Sequence, residues 1–336
     1  MTTRTTNPRR WAILTAAVLG VLVIYLALQA ARRAFGGDVS DFRAYYTAAA
    51  EMRAGRDPYQ PAERPYLYPP LLAFLCMPLT SLPIAQAALV YLPAILLATL
   101  LSLCLAPKTM LEFLEVKPDT VLFSQVVLLT LLVMFDRMKS DAQMFQVNSL
   151  MLLMFTLGLY WLDRRPWLAG SALGFALNIK GQSLVMLPYL LIRRRWSAAA
   201  AMVGAALGFA LLPGAVIGWN ANFRNLARLL GGLQTLADTH APEQSSTHLV
   251  DVTARLSVSV TSGVARILMQ VGFGRWLWLV VGVLATAALG YAFWAYRRAG
   301  IPLLRWPERR QQDQAPWRSV VALEWSCLIL ATLVFN

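Results

Sequence analysis

SDFRAYYTAAAEMRAGRDPYQPAERPYLYPP, residues 40–70, is almost the only polar stretch before residue 107, and apolar runs of membrane length flank it. Within it, Phe42, Tyr45, Tyr46, Ala49 and Met52 recur at i, i+3, i+4, i+7 spacing, which makes one apolar face of a short helix. Asp41 opens that helix, Ser40 is placed to cap it, Gly55 to end it, and Pro58 follows as a stop. A helix of this kind lies along a bilayer surface rather than crossing it. A polar loop held over spanning helices is where a membrane enzyme can keep its chemistry.

Outward from that loop the chain turns apolar. Its 336 residues are 58% hydrophobic and 14% charged, a balance that excludes an ordinary soluble protein of this size. Uncharged runs cover 11–31, 84–106, 120–135, 196–218 and 276–296. Most reach the roughly 20 residues that a spanning helix needs. The expected fold is all-α: a polytopic bundle of about 8–10 spanning helices forming a single domain over 1–336. Residues 11–31 are too long for a signal-peptide core and read as a retained first span.

The net charge of +13 does not signal nucleic acid, because the basic residues sit in short runs at span ends. Arg4, Arg9 and Arg10 place the N-terminus in the cytoplasm. Arg193–Arg195 and the basic linker 297–318 mark two further cytoplasmic points. The 32–70 loop and the 219–275 loop then face outward, the latter carrying short surface helices. Residues 32–70 hold six arginines, which suits a loop that binds an anion. The expected location is a cell inner (plasma) membrane, with membrane lipids as surroundings. Cys76, Cys104 and Cys327 all fall in apolar segments and read as packing residues rather than a disulfide. With only His240 and His248 as histidines, no metal-ligand cluster is expected.

Two segments leave alternatives open. LLAFLCMPLTSLP, 71–83, is interrupted by Pro78 and Pro83 and reads as a short span, a re-entrant piece, or the start of one crossing with 84–106. In WLAGSALGFALNIKGQSLVMLPYLLI, 167–192, Lys180 stands in the middle of an apolar run. A lysine at a span centre costs about 2.5–3.5 kcal/mol on insertion scales. The favoured reading is therefore a hairpin of two short helices with Lys180–Gly181 at its outer turn. Gly170…Gly174 and Gly204…Gly208 have the spacing of close helix packing.

Asp41 is the first candidate for chemistry, although an aspartate at a helix start is also a simple dipole partner. Lys180 is the second, with snorkelling to the interface as the structural alternative. Tyr45, Tyr46 and Tyr68 lie near Asp41 in sequence, and Gln146, Asn148, Asn178 and Gln182 add neutral hydrogen-bonding groups near the depth of Lys180. In 241–257, Glu243, Gln244, Ser245 and His248 line either a sugar or acceptor pocket or a solvated loop. Glu324, inside the last apolar run, reads as a pairing residue of the bundle. No Ser-His-Asp set, phosphate loop or paired-carboxylate site is visible. An outward acid and a membrane-depth lysine suit work on a lipid-linked anionic substrate.

SDFRAYYTAAAEMRAGRDPY followed by YLYPPLLAFLCMPLTSLP resembles the first loop and second helix of glycosyltransferase family 87. FQVNSLMLLMFTLGLYW, WLAGSALGFALNIK and LPYLLIRRRW resemble its next block in the same order, over most of 38–210. Departures from the family pattern are Phe145 where the family usually has glycine, Gly181-Gln182-Ser183 after the lysine, and Glu243-Gln244-Ser245 for an Asn-Gln-Ser motif. The family also continues beyond the point where Val334-Phe335-Asn336 ends, so a C-terminal truncation is expected. The resemblance implies a GT-C-class α-1,2-mannosyltransferase that uses a polyprenyl-phosphate-sugar donor and a lipid or glycan acceptor, with no cofactor and no required metal. It implies Asp41 as general base, inversion at the anomeric carbon, and Lys180 on the phosphate. Tyr45, Tyr46, Tyr68, Gln146, Asn148, Gln244 and His248 are the expected substrate contacts. A GT-C enzyme for another sugar such as a pentose, a non-catalytic lipid-carrier translocase, and a scaffold subunit are the competing readings. A transporter would show internal repeats, and none is evident.

Overall fold

The computed structural model describes residues 7–59, 66–237, 260–301 and 317–334, all in helices and their connections, with no strand among them. Gln244 and His248 lie outside the described residues. So do the whole of the 241–257 segment, with Glu243 and Ser245, and most of the basic 297–318 linker. Five helices are long and apolar enough to cross a membrane: Pro8–Phe35, Ile84–Phe113, Thr120–Met144, Trp196–Ile217 and Gly274–Arg298. Each covers one of the uncharged runs of the sequence, the fourth short of it by a single residue. Large side chains on their outer faces, such as Ile13, Val21 and Ile24 on the first or Leu129, Leu132 and Val133 on the third, stand exposed. Soluble monomers rarely expose apolar patches beyond a few hundred Å². These faces are satisfied by lipid, and the chain is a multi-pass membrane protein. Three shorter apolar helical stretches, Pro70–Ser81, Asn148–Trp161 and Gly181–Ile192, accompany them.

The described chain forms two compact units, residues 1–184 with 197–247, and 185–196 with 248–336. In the first, α1 (Pro8–Phe35) packs against α4 (Ile84–Phe113) and α5 (Thr120–Met144). α6 (Asn148–Trp161) joins α4 to α7 (Pro166–Ile179). The surface helix expected in the first loop is α2 (Ser40–Arg53), and it rests on α3 (Pro70–Cys76) and the 3-10 turn Met77–Ser81. Its predicted apolar face is the buried one: Phe42, Tyr45, Ala49 and Met52 are almost completely covered. The N-cap differs from expectation. Val39 holds that position and makes no side-chain cap bond, while Ser40 is already helical. Gly55 does end the helix, at φ +72°, with the Gly55 amide on Met52 O and the Arg56 amide on Glu51 O. That bond pair is a Schellman closure, and it needs a left-handed residue where glycine stands.

The 71–83 segment is a separate short piece that breaks at Pro83 before α4 begins. The 167–192 run breaks at Lys180, whose backbone is extended (φ −152°, ψ 125°). The chain then turns back on α7, since the Ser183 hydroxyl donates to Leu173 O at 3.0 Å. Of the two glycine pairs, only one packs helices closely. A Cβ on Gly170 or Gly174 would meet the backbone of Ala198 or Met202 on α9 (Trp196–Leu211). Gly204 and Gly208 meet nothing within 4 Å among the described residues, so the second spacing packs against none of them. Asn178 completes the α7–α9 seam, its amide donating to Gly174 O and to Ala206 O. After α10 (Gly214–Ile217), α11 (Trp219–Ala237) is a 19-residue helix, longer than the short surface helices expected there.

The second unit comprises α8 (Met186–Ile192), α12 (Val260–Gln270), α13 (Leu277–Arg298) and α14 (Trp317–Val334). Arg193 is not the free positive charge that the Arg193–Arg195 run suggests. It is buried and paired with Glu324, which also accepts from the hydroxyls of Tyr189 (3.1 Å) and Tyr296 (2.6 Å). Glu324 is thus the pairing residue that its place in an apolar run implied.

Candidate active site

The first unit brings the polar residues of three separate segments into one hydrogen-bonded chain. Asp41 enters from the first turn of α2. Gln146 and Asn148 enter from the tight connection between α5 and α6. Lys180 enters from the break after α7. Gln146 Nε2 donates to Asp41 Oδ2 at 2.6 Å. Asn148 Nδ2 donates to Gln146 Oε1 at 2.6 Å and to Asp141 Oδ1 at 3.2 Å. Lys180 Nζ reaches Asn148 Oδ1 at 3.4 Å. Asp141 is in turn held by Arg137 one helical turn earlier, Nε to Oδ1 3.5 Å.

The turn that supplies Gln146 and Asn148 depends on Phe145. Its φ of 57° and ψ of 41° are left-handed, and its amide and that of Gln146 close α5 onto Ala142 O and Asp141 O. This geometry explains why a glycine suits the position: a Cβ in the left-handed region costs about 1–2 kcal/mol. Phe145 offsets that with burial. It is fully covered and packs against Phe42 of α2, the rings tilted by 49° at 6.2 Å between centroids. The same ring that closes α5 therefore seats the helix that carries Asp41.

The tyrosines around Asp41 build the platform. Tyr45 is fully buried, edge-on to Tyr68 at 5.1 Å, and its hydroxyl lies 3.4 Å from that of Tyr68. Tyr46 donates to Leu82 O at 2.8 Å, tying α2 to the turn before α4. Tyr66 donates to Pro69 O at 2.6 Å and accepts from the Ala73 amide, which locks the start of α3. Burial raises the phenols of Tyr45, Tyr59 and Tyr66 above the usual tyrosine range, so all three serve as neutral donors. Of the sequence-derived candidates, the structure joins Asp41, Gln146, Asn148 and Lys180, and sets Tyr45, Tyr46 and Tyr68 in the packing beside them. Sequence reasoning passed over Asp141 and Arg137. Their i, i+4 spacing in the polar stretch DRMKSDAQMFQVN, residues 136–148, was the available signal. It also passed over Tyr91, which packs on Phe42 at 5.2 Å while its buried hydroxyl has no partner among the described residues.

A carboxylate with one oxygen held by an amide, linked through two amides to an ammonium group, places a proton acceptor and a cation on one rigid frame. This network stands on a multi-pass all-α scaffold. The model of glycosyltransferase family 87 matches residues 66–330, and the chain belongs to that family. It is a membrane glycosyltransferase, moving a sugar from a donor to an acceptor. Gln146, Asn148 and Lys180 fall within the matched residues, whereas Asp41 precedes them. No curated protein and no solved structure matches the chain.

Proposed function

We propose that this enzyme transfers a mannosyl unit, with inversion, from a polyprenyl-phosphate donor to a lipid or glycan acceptor at the extracytoplasmic face of a plasma membrane. The observation that carries this reading is the Asp41–Gln146–Asn148–Lys180 chain, in which residues 105 positions apart are joined by a 2.6 Å bond. Asp41 takes the proton of the acceptor hydroxyl as its oxygen attacks the anomeric carbon. The bond from that carbon to the phosphate oxygen breaks on the opposite face, and its electron pair leaves with the polyprenyl phosphate. Lys180 neutralises the charge that grows on the departing phosphate. Gln146 fixes one carboxylate oxygen of Asp41. The other oxygen, which accepts no hydrogen bond among the described residues, takes the proton in this proposal.

Supplying the protein in lipid vesicles with a radiolabelled polyprenyl-phosphate-mannose and a mixed lipid acceptor tests the reading. An α-linked mannosyl product and free polyprenyl phosphate are expected. Transfer from a pentosyl donor alone would reassign the sugar. Lys180→Met should weaken donor binding about tenfold or more, consistent with loss of a charge-assisted contact. Unchanged donor affinity would remove Lys180 from the phosphate.

A further inference from the structure

Arg56, Asp57, Arg224, Asn225 and Arg228 line a cavity of about 130 Å³ where the end of α2 meets the first turns of α11. Ligand sites for drug-sized molecules run to about 300–1,000 Å³, so this one suits a single headgroup rather than a sugar chain. Three arginines against one aspartate make its lining cationic. Two of the arginines are engaged: Glu51 holds Arg56 through two hydrogen bonds, and Asp57 lies 3.5 Å from Arg228. Among the described residues Arg224 has no ion pair. Asn225 is only 7% exposed, faces the cavity, and has no hydrogen-bond partner among the described residues. The Arg224 guanidinium is exposed and the Asn225 amide opens onto the cavity, and both are donors without a protein acceptor among the described residues. A phosphate satisfies both.

The rest of α11 says where that phosphate comes from. Trp219, Phe223 and Leu230 are exposed. At 3.6 residues per turn they fall within roughly 40° of one another, while Arg224 and Arg228 lie roughly 140° and 180° from Trp219. An exposed apolar stripe bearing tryptophan, with arginines on the other side, is the pattern of a helix lying in a membrane interface. A helix at that depth carries its arginines at headgroup level. Met52, another lining residue, lies on the same helix as Asp41, about 16 Å further along at 1.5 Å per residue. That is too far for the donor phosphate, which must sit one sugar ring from the base.

We propose that this cavity is a separate binding site for the phosphate headgroup of an anionic membrane lipid, held by Arg224, Asn225 and Arg228. Native mass spectrometry of the full chain in neutral detergent tests it, with phosphatidylglycerol, phosphatidylcholine and soluble glycerol phosphate as probes. The wild type should retain one phosphatidylglycerol at concentrations where phosphatidylcholine does not bind. Arg224→Gln and Asn225→Ala should each raise the half-saturating concentration about tenfold or more. Arg53→Gln removes an equal charge from α2 outside the cavity, and it should leave binding unchanged, as should Asp41→Asn. Equal losses in Arg53→Gln and Arg224→Gln would reduce the effect to general electrostatics and overturn the site. Saturation by glycerol phosphate at the same concentration as phosphatidylglycerol would overturn the lipid assignment. Because Asp41→Asn abolishes transfer on the reading above and leaves this binding intact, either idea can fail without the other.

Discussion

At the scale of single residues, Phe145 and Gln146 do different work within one turn. Phe145 is strained by its left-handed backbone and held by its buried ring. Replacing it by glycine relieves about 1–2 kcal/mol of strain, but a buried phenylalanine side chain is worth about 3–5 kcal/mol. Phe145→Gly should therefore lower stability by about 2 kcal/mol, read as a drop in the melting temperature of the detergent-solubilised protein. A rise would mean that the ring contributes little. Gln146 holds Asp41 Oδ2 from the next position. Gln146→Leu leaves the carboxylate free to rotate, and misplacing a reacting group by about 1 Å can cost 10²-fold. Turnover should fall about ten- to a hundredfold with donor KM little changed, as initial rates over a donor titration would show. Part of this was legible beforehand: Asp41, Gln146, Asn148 and Lys180 stand out as polar groups against apolar surroundings. Their direct bonding was not, because hydrogen bonds between positions 105 residues apart depend on how helices pack and leave no local spacing. Arg193 shows the converse. In sequence it is one of three arginines at a span end, and only the fold reveals that Glu324 has drawn it inside.

At the scale of elements, the long spans were readable because twenty uncharged residues have few alternatives to a helix in lipid. The short pieces were not. α6 and α7 have 14 residues each, about 21 Å of helix, against roughly 30 Å of hydrocarbon. Composition alone does not say whether such pieces cross, pair or re-enter. The lysine in 167–192 did mark a true break, since an ammonium at a helix centre in hydrocarbon is expensive. Glycine spacing was a weaker guide: identical patterns on α7 and α9 have opposite surroundings. Gly170→Ala and Gly174→Ala push a methyl group into the α9 backbone, and overpacking of this kind typically costs about 1–3 kcal/mol. Gly204→Ala and Gly208→Ala meet open space and should be neutral or gain about 0.5–1 kcal/mol from helix propensity. Melting temperatures of the four variants separate the pairs, and equal losses in all four would contradict the assigned seam.

At the scale of the whole molecule, the first unit gathers on one frame the groups that the proposed glycosyl transfer from a lipid phosphate would use. It offers a carboxylate in the first turn of a surface helix, a lysine at a helix break, and two amides that fix their separation. Asp57 of the first loop pairs with Arg228 of α11, so the two loops expected on the outer face do meet at one end of this unit. In the proposed mechanism Asp41 is the base. Asp41→Asn keeps the side chain's size and can still face Gln146, but it cannot accept a proton. Sugar transfer by the Asp41→Asn enzyme in vesicles, measured beside donor binding by the same preparation, tests this most directly. Transfer should fall by at least the roughly 10²–10⁴-fold that a general base contributes, with donor binding retained. Transfer near the wild-type rate would make Asp41 no more than a helix-start residue and would contradict the mechanism.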